Sequence, residues 1–126
     1  MNKPQNQIQI KFHDTALVAN LNNIRMCQDF IALMPLSLIF NTLFGRGKYG
    51  RLPHGLVETG QPMQTFEAGD IAYWSPGPGI NIFYGTGRLY DDNYSANTGF
   101  YLLGKIESDL RTLNITQFLH VEIETL

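Results

Sequence analysis

The chain has 126 residues, enough for one domain that buries roughly two-thirds of its unfolded surface in a single core. Nine basic and eleven acidic residues leave a formal net charge of −2 with both signs spread along the sequence, which excludes the basic excess expected of a nucleic-acid binder. Cys27, the single cysteine, cannot close an internal disulfide, no secretory leader is read at the start, and no apolar run is long enough to span a bilayer. The expected setting is therefore a reducing cytoplasm with no membrane partner. The sequons at Asn93 and Asn114 are expected to be incidental there.

In "IQIKFH" (8–13), Ile8, Ile10 and Phe12 alternate with Gln9 and Lys11, the period of a half-buried strand. A tight turn at His13-Asp14 leads into "TALVANL" (15–21), giving a hairpin. Ile24, Cys27, Phe30, Ile31 and Met34 then recur at helical spacing, with Arg25, Gln28 and Asp29 on the wet side. The spacing predicts a helix over 23–33, capped by Asn22 or Asn23 and stopped by Pro35. "LSLIFNTLF" (36–44) leans towards strand and leads into a glycine-rich loop. "QTFEAGDIAYWSP" (64–76) holds a strand, Pro76-Gly77-Pro78-Gly79 forces a turn, and "INIFYG" (80–85) returns. In the first of these, Gly69 is expected to take a backbone angle other residues resist and Asp70 to cap the turn. A polar loop (86–99), a strand (99–107), a short helical turn (108–113) and a last strand (117–126) complete the pattern. Many short strands with one helix, and no regular strand–helix alternation, predict a mainly β protein: a closed antiparallel barrel or a sandwich.

The stretch "FGRGKYGR" (44–51) places Gly45, Gly47 and Gly50 on the G-x-G-x-x-G spacing of a dinucleotide site. That motif works because its last glycine opens a helix aimed at the pyrophosphate. Here "RLPHG" follows, and Pro53 and Gly55 allow no sustained helix, so the dinucleotide reading fails. What remains is a basic loop: Arg46, Lys48 and Arg51 put three of nine basic residues within six positions. Glycines let backbone amides approach a ligand, and arginine forks suit carboxylate or phosphate. The alternative is a solvated loop whose arginines pair with Glu58, Glu67 or Asp70.

Other chemistry is sparse. His13, His54 and His120 are separated in sequence and accompanied by one cysteine, so no metal site is expected. Cys27 lies on the apolar helix face, which points to an inert buried thiol. Asp91-Asp92 reads as a solvated acidic pair, and Ser75 has no local base. The aromatic hairpin "YWSPGPGINIFYG" is more informative. Because neighbours on a strand point to opposite faces, Tyr73 and Trp74, and Phe83 and Tyr84, cannot all fill one interior; some must lie outside, covered or exposed as a binding surface.

"GKYGRLP", "FEAGDIAYWSPG", "INIFYG" and "LLGKI", in this order, resemble the bacterial cyclophilin-like family of small uncharacterised proteins. The resemblance runs from the first hairpin to about residue 106. It implies a closed antiparallel cyclophilin-like β-barrel, one domain over 1–126, with the helix plugging an end. True cyclophilins carry a Phe-His-Arg stretch; the counterpart here is Phe44-Gly45-Arg46, with glycine for histidine. Of the cyclophilin turn and Asn-Gly-Ser-Gln-Phe-Phe motif, "GPGINIFYG" keeps Gly77, Pro78, Asn81 and the aromatic pair. These departures count against isomerase chemistry. The function expected is the binding of a small ligand or peptide in a groove on the barrel, with Arg46, Lys48, Tyr49, Arg51, Trp74, Asn81 and Phe83 as contacts and no cofactor. The alternative is a divergent peptidyl-prolyl cis-trans isomerase using Arg46 or Arg51.

Overall fold

The structure is a computed structural model that describes residues 6–12, 15–43, 47–60, 62–85, 87–88, 99–107 and 120–126. Strands β1 (Gln7–Phe12) and β2 (Thr15–Leu21) pair antiparallel from Gln7 against Asn20 to Phe12 against Thr15. Their alternation has the expected consequence: Ile8, Ile10, Phe12, Leu17, Ala19 and Leu21 all point into one core. Helix α1 (Arg25–Ala32) follows, then β3 (Leu36–Leu43), β4 (Gly47–Arg51), β5 (Thr65–Phe66), β6 (Asp70–Trp74), β7 (Gly79–Phe83), β8 (Gly87–Arg88), β9 (Phe100–Ile106) and β10 (His120–Thr125). Eight of the strands close an antiparallel barrel in the order β1-β10-β3-β4-β7-β6-β9-β2, while β5 and β8 form a separate two-stranded ribbon. The barrel, and not the sandwich, is therefore the architecture.

Helix α1 is one residue narrower than expected at its end and two at its start. The N-cap is Ile24, in extended conformation and without a side-chain cap. Asn22 does not cap because it is still bound to the sheet: its amide donates to the Leu103 carbonyl at 2.7 Å. Met26, Cys27 and Phe30 are buried in the barrel core, with Ile24, Ile31 and Met34 packed against it. Met26 is an addition to the predicted stripe. The Cys27 thiol donates to the Leu103 carbonyl at 3.1 Å, and burial pushes its pKa up to about 11, as suits an inert thiol. The chain after β4 crosses the same opening, sending Leu52 and Leu56 into the core. Its Gly60 lies against Ile24, Met26 and Tyr101. Tyr73 reaches this plug from below, where its hydroxyl accepts the Leu56 amide at 2.9 Å.

The glycine-rich stretch is a strand from Gly47 onward and not a loop. β4 pairs with β3 (Phe40 against Gly50) and with β7 (Tyr49 against Asn81). Its glycines serve close approach. A Cβ on Gly50 would lie 2.6 Å from the Phe40 ring, and one on Gly47 would lie 3.1 Å from the Phe83 ring. Gly69 does need its special backbone, with φ at +96°. Asp70 caps that turn as expected, its carboxylate accepting the Glu67 amide at 2.9 Å. Within the expected polar loop, Gly87–Arg88 forms β8 and pairs with β5. The expected turn at 13–14 and helical turn at 108–113 lie outside the described residues.

Around the barrel the strands fall into two kinds. On β3, buried Leu36, Leu38 and Phe40 alternate with exposed Ser37 and Ile39, the latter 62% exposed, so this wall faces solvent. On β7 all of Gly79–Phe83 is buried, and on β6 everything but Trp74 is. Their inner side chains (Ile71, Tyr73, Ile80, Ile82) join the barrel core. Their outer ones belong to a second cluster of Phe66, Ala72, Phe83 and Phe100, with Met63 and Trp74 packed against it. β5 contributes Phe66 to this outer layer.

Candidate functional site

The outer face of β4, β7, β6 and β9 gathers most of the expected contact residues, and strand register explains why. Tyr49 pairs with Asn81, which pairs with Ala72, which pairs with Leu102, so these four side chains form one row on one face. The next row holds Arg51, Gly79, Trp74 and Phe100. Phe83, two residues beyond Asn81, stands on the same side. Tyr49, Arg51, Trp74, Asn81 and Phe83 are thus brought together. Lys48 is not. It pairs with Ile82 and shares the interior face of the barrel, with only 8% of its surface exposed. Arg46 lies outside the described residues.

The rings on this face make a continuous set. Phe66 stacks on Phe83 with centroids 4.2 Å apart, Trp74 stacks on Phe100 at 5.8 Å, and Tyr49 meets Trp74 edge to face at 5.7 Å. Two glycines make the Tyr49 position available. A Cβ on Gly77 or Gly79 would fall 2.0 Å or 2.2 Å from the tyrosine ring system, so the hairpin turn must be bare where the ring lies. Partial burial raises the Tyr49 pKa, while the Arg51 charge opposes the shift. Tyr49 and Trp74 are half-buried, and Arg51 is exposed. Asn81 is different: it is 0% exposed, and among the described residues neither its Oδ1 nor its Nδ2 has a hydrogen-bond partner.

Met63 connects this aromatic layer to a groove of about 470 Å³ lined also by Thr65, Glu67, Asp70, Leu102 and Lys105. Lys105 donates to Glu67 at 2.6 Å and lies 3.7 Å from Asp70. The hydrogen bond that Lys105 donates holds the Glu67 carboxyl below its usual range, and the same bond raises the lysine. One cation is thus shared by two carboxylates. On the opposite, solvated wall, a groove of about 320 Å³ is lined by Lys11, Phe12, His120 and Glu122, and the exposed His120 shares a 2.7 Å hydrogen bond with Ser37.

Sequence reasoning missed Met63, Phe66 and Phe100 as parts of the site. A signal was present: "DIAYW" and "GINIF" are nearly unbroken apolar runs, and a strand buried on both faces needs cover from elsewhere in the chain. Asn81 is the polar exception inside such a run.

A barrel closed by eight antiparallel strands, one end covered by a helix and a crossing segment, places the protein among cyclophilin-like folds. The family model described as the cyclophilin-like family matches residues 10–124, and the chain belongs to that family. A solved structure similar to it is the solution structure of the hypothetical protein AF2241 from Archaeoglobus fulgidus. The TM-score is 0.72 at 19% identity, over 99% of this chain and 98% of that one. No curated protein matches.

Proposed function

We propose that this protein is a binding module that takes a small ligand or peptide on the outer face of β4, β7 and β6, without turning it over. The observation that carries the reading is the half-buried Tyr49–Trp74 pair, set edge to face beside the exposed Arg51. Two rigid rings offer a large contact area at small entropic cost, and a guanidinium beside them suits a carboxylate or phosphate. The adjoining groove of about 470 Å³ is within the range of small-molecule sites. Arg46 belongs to the proposal as a second cation, and a reducing cytoplasm is the setting it assumes. Lys48, turned to the barrel interior, is dropped as a direct contact on this face.

The test joins two measurements on one preparation. Melting temperature is followed against carboxylates, organic phosphates and proline-containing tetrapeptides, for the wild type and for Trp74→Ala and Arg51→Ala. At least one class should raise the wild-type melting point, and both variants should weaken that effect. No stabilisation by any class would refute the module. A cis/trans assay on the same tetrapeptides should show no acceleration over the uncatalysed rate of tens of seconds. Catalysis lost in Arg51→Ala or Arg46→Ala would establish the isomerase in its place.

A further inference from the structure

An unpaired carboxamide is expensive to bury, because both its donor and its acceptor lose water and gain nothing. Asn81 is fully shielded, and among the described residues it has no partner for Oδ1 or Nδ2. Strand register fixes which side it stands on: the outer face, between Tyr49 on β4 and Ala72 on β6. Its surroundings there are low at the floor and aromatic at the sides. The Tyr49 ring lies over the bare Gly79, Ala72 bears only a methyl, and Trp74, Phe83 and Phe100 stand around them. A carboxamide holds its two polar groups in one plane.

That plane defines a complement. An asparagine side chain offers one N–H donor and one C=O acceptor side by side on a single edge. A trans amide places its own N–H and C=O on opposite edges, so it can answer only one of them. A cis amide held in a ring, as in a lactam, cyclic imide or ureide, offers both on one edge and makes two parallel hydrogen bonds. Such rings are also flat, and their faces suit aromatic walls. We infer that Asn81 is the recognition anchor of the outer-face site and that its ligand is a planar cyclic amide. On this inference the ligand enters by a rotamer change of Trp74 or Met63, the two half-buried side chains packed against the cluster; the thioether chain of Met63 adapts at little cost. This inference rests on the binding-module reading and narrows it to a ligand class.

The experiment is a titration of ¹⁵N-labelled full chain with 2-pyrrolidone, hydantoin and uracil, with N-methylacetamide as the trans-amide control. The readouts are the Asn81 side-chain NH₂ cross-peaks and the Trp74 indole resonance. At least one cyclic amide should shift both signals and bind at least about tenfold more tightly than the control, the discrimination expected when one buried hydrogen bond is lost. In Asn81→Val, checked for folding by urea denaturation, that preference should vanish. Equal binding of cyclic and trans amides by the wild type overturns the inference with no variant needed, as does a preference that survives in Asn81→Val. If the cyclic amides leave the Asn81 signals unmoved while carboxylates or tetrapeptides still bind at Trp74 and Arg51, the anchor fails and the module stands. If nothing binds, both fall.

Discussion

Replacing Asn81 by valine should make the protein more stable, contrary to the usual effect of a substitution in a fully buried strand. Each unsatisfied polar atom costs about 1–3 kcal/mol, and Asn81 has two of them. Valine removes both and is better suited to a central strand by up to about 1 kcal/mol. Against this stands its greater bulk, which a tight site penalises by about 1–3 kcal/mol. Ala72, which sets only a methyl opposite, moderates that penalty, so the polar relief wins. The expected net is a gain of about 1–3 kcal/mol, read as a higher urea midpoint at unchanged slope. For a chain of this size each kcal/mol corresponds to a rise in melting temperature of roughly 3–5 °C. A variant destabilised by about 1 kcal/mol or more would show that the carboxamide is satisfied in solution and serves the fold, and the case for a ligand anchor would collapse.

Phe30→Ala, which empties a fully buried position under the helix, should cost about 3–5 kcal/mol by chemical denaturation. Gly104→Ala should be worse tolerated than Gly69→Ala: the first puts a Cβ 2.1 Å from the Asn20 backbone oxygen, while the second meets nothing nearer than 3.5 Å and bears only the strain of φ at +96°, about 1–2 kcal/mol. Expression and urea midpoints compare the two. Cys27 should resist a thiol reagent at pH 8 in the folded protein and react fully in urea. Its folded pKa of about 11 lies above the unfolded value of 9.0, so the folded state holds the proton more tightly; stability is intact below pH 9 and falls as pH rises towards 11. Urea midpoints across that interval should fall less steeply in Cys27→Ala.

The alternating strands and the helix were legible because their signal is local. Ile8, Ile10 and Phe12, or Cys27 and Phe30, announce a face by spacing alone, and the structure buries that face. The stretch from Gly47 to Arg51 was misread because a glycine does not say why it is there. Gly69 marks a turn through its backbone angle, whereas Gly50 marks the place where the Phe40 ring crosses, and these look alike in one dimension. Lys48 was placed with its charged neighbours for the same reason: only the strand assignment reveals that it and Tyr49 face opposite ways. Trp74 and Asn81 were recognisable as candidates, but their neighbourhood was not, because Phe100 arrives from further along the chain and Phe66 belongs to a ribbon outside the barrel.

Closure of the barrel limits how a peptide can be held. In the order β1-β10-β3-β4-β7-β6-β9-β2 every strand already has two neighbours, so among the described residues the barrel has no edge strand for an incoming chain to extend. β-Augmentation, the mode by which many domains read extended segments almost regardless of sequence, is closed to this wall. A partner must be read through side chains, ring by ring and charge by charge, and selectivity becomes a property of a few positions on β4, β6 and β7. Repertoire can then change by substitution at those positions while the hydrogen-bonded frame stays constant.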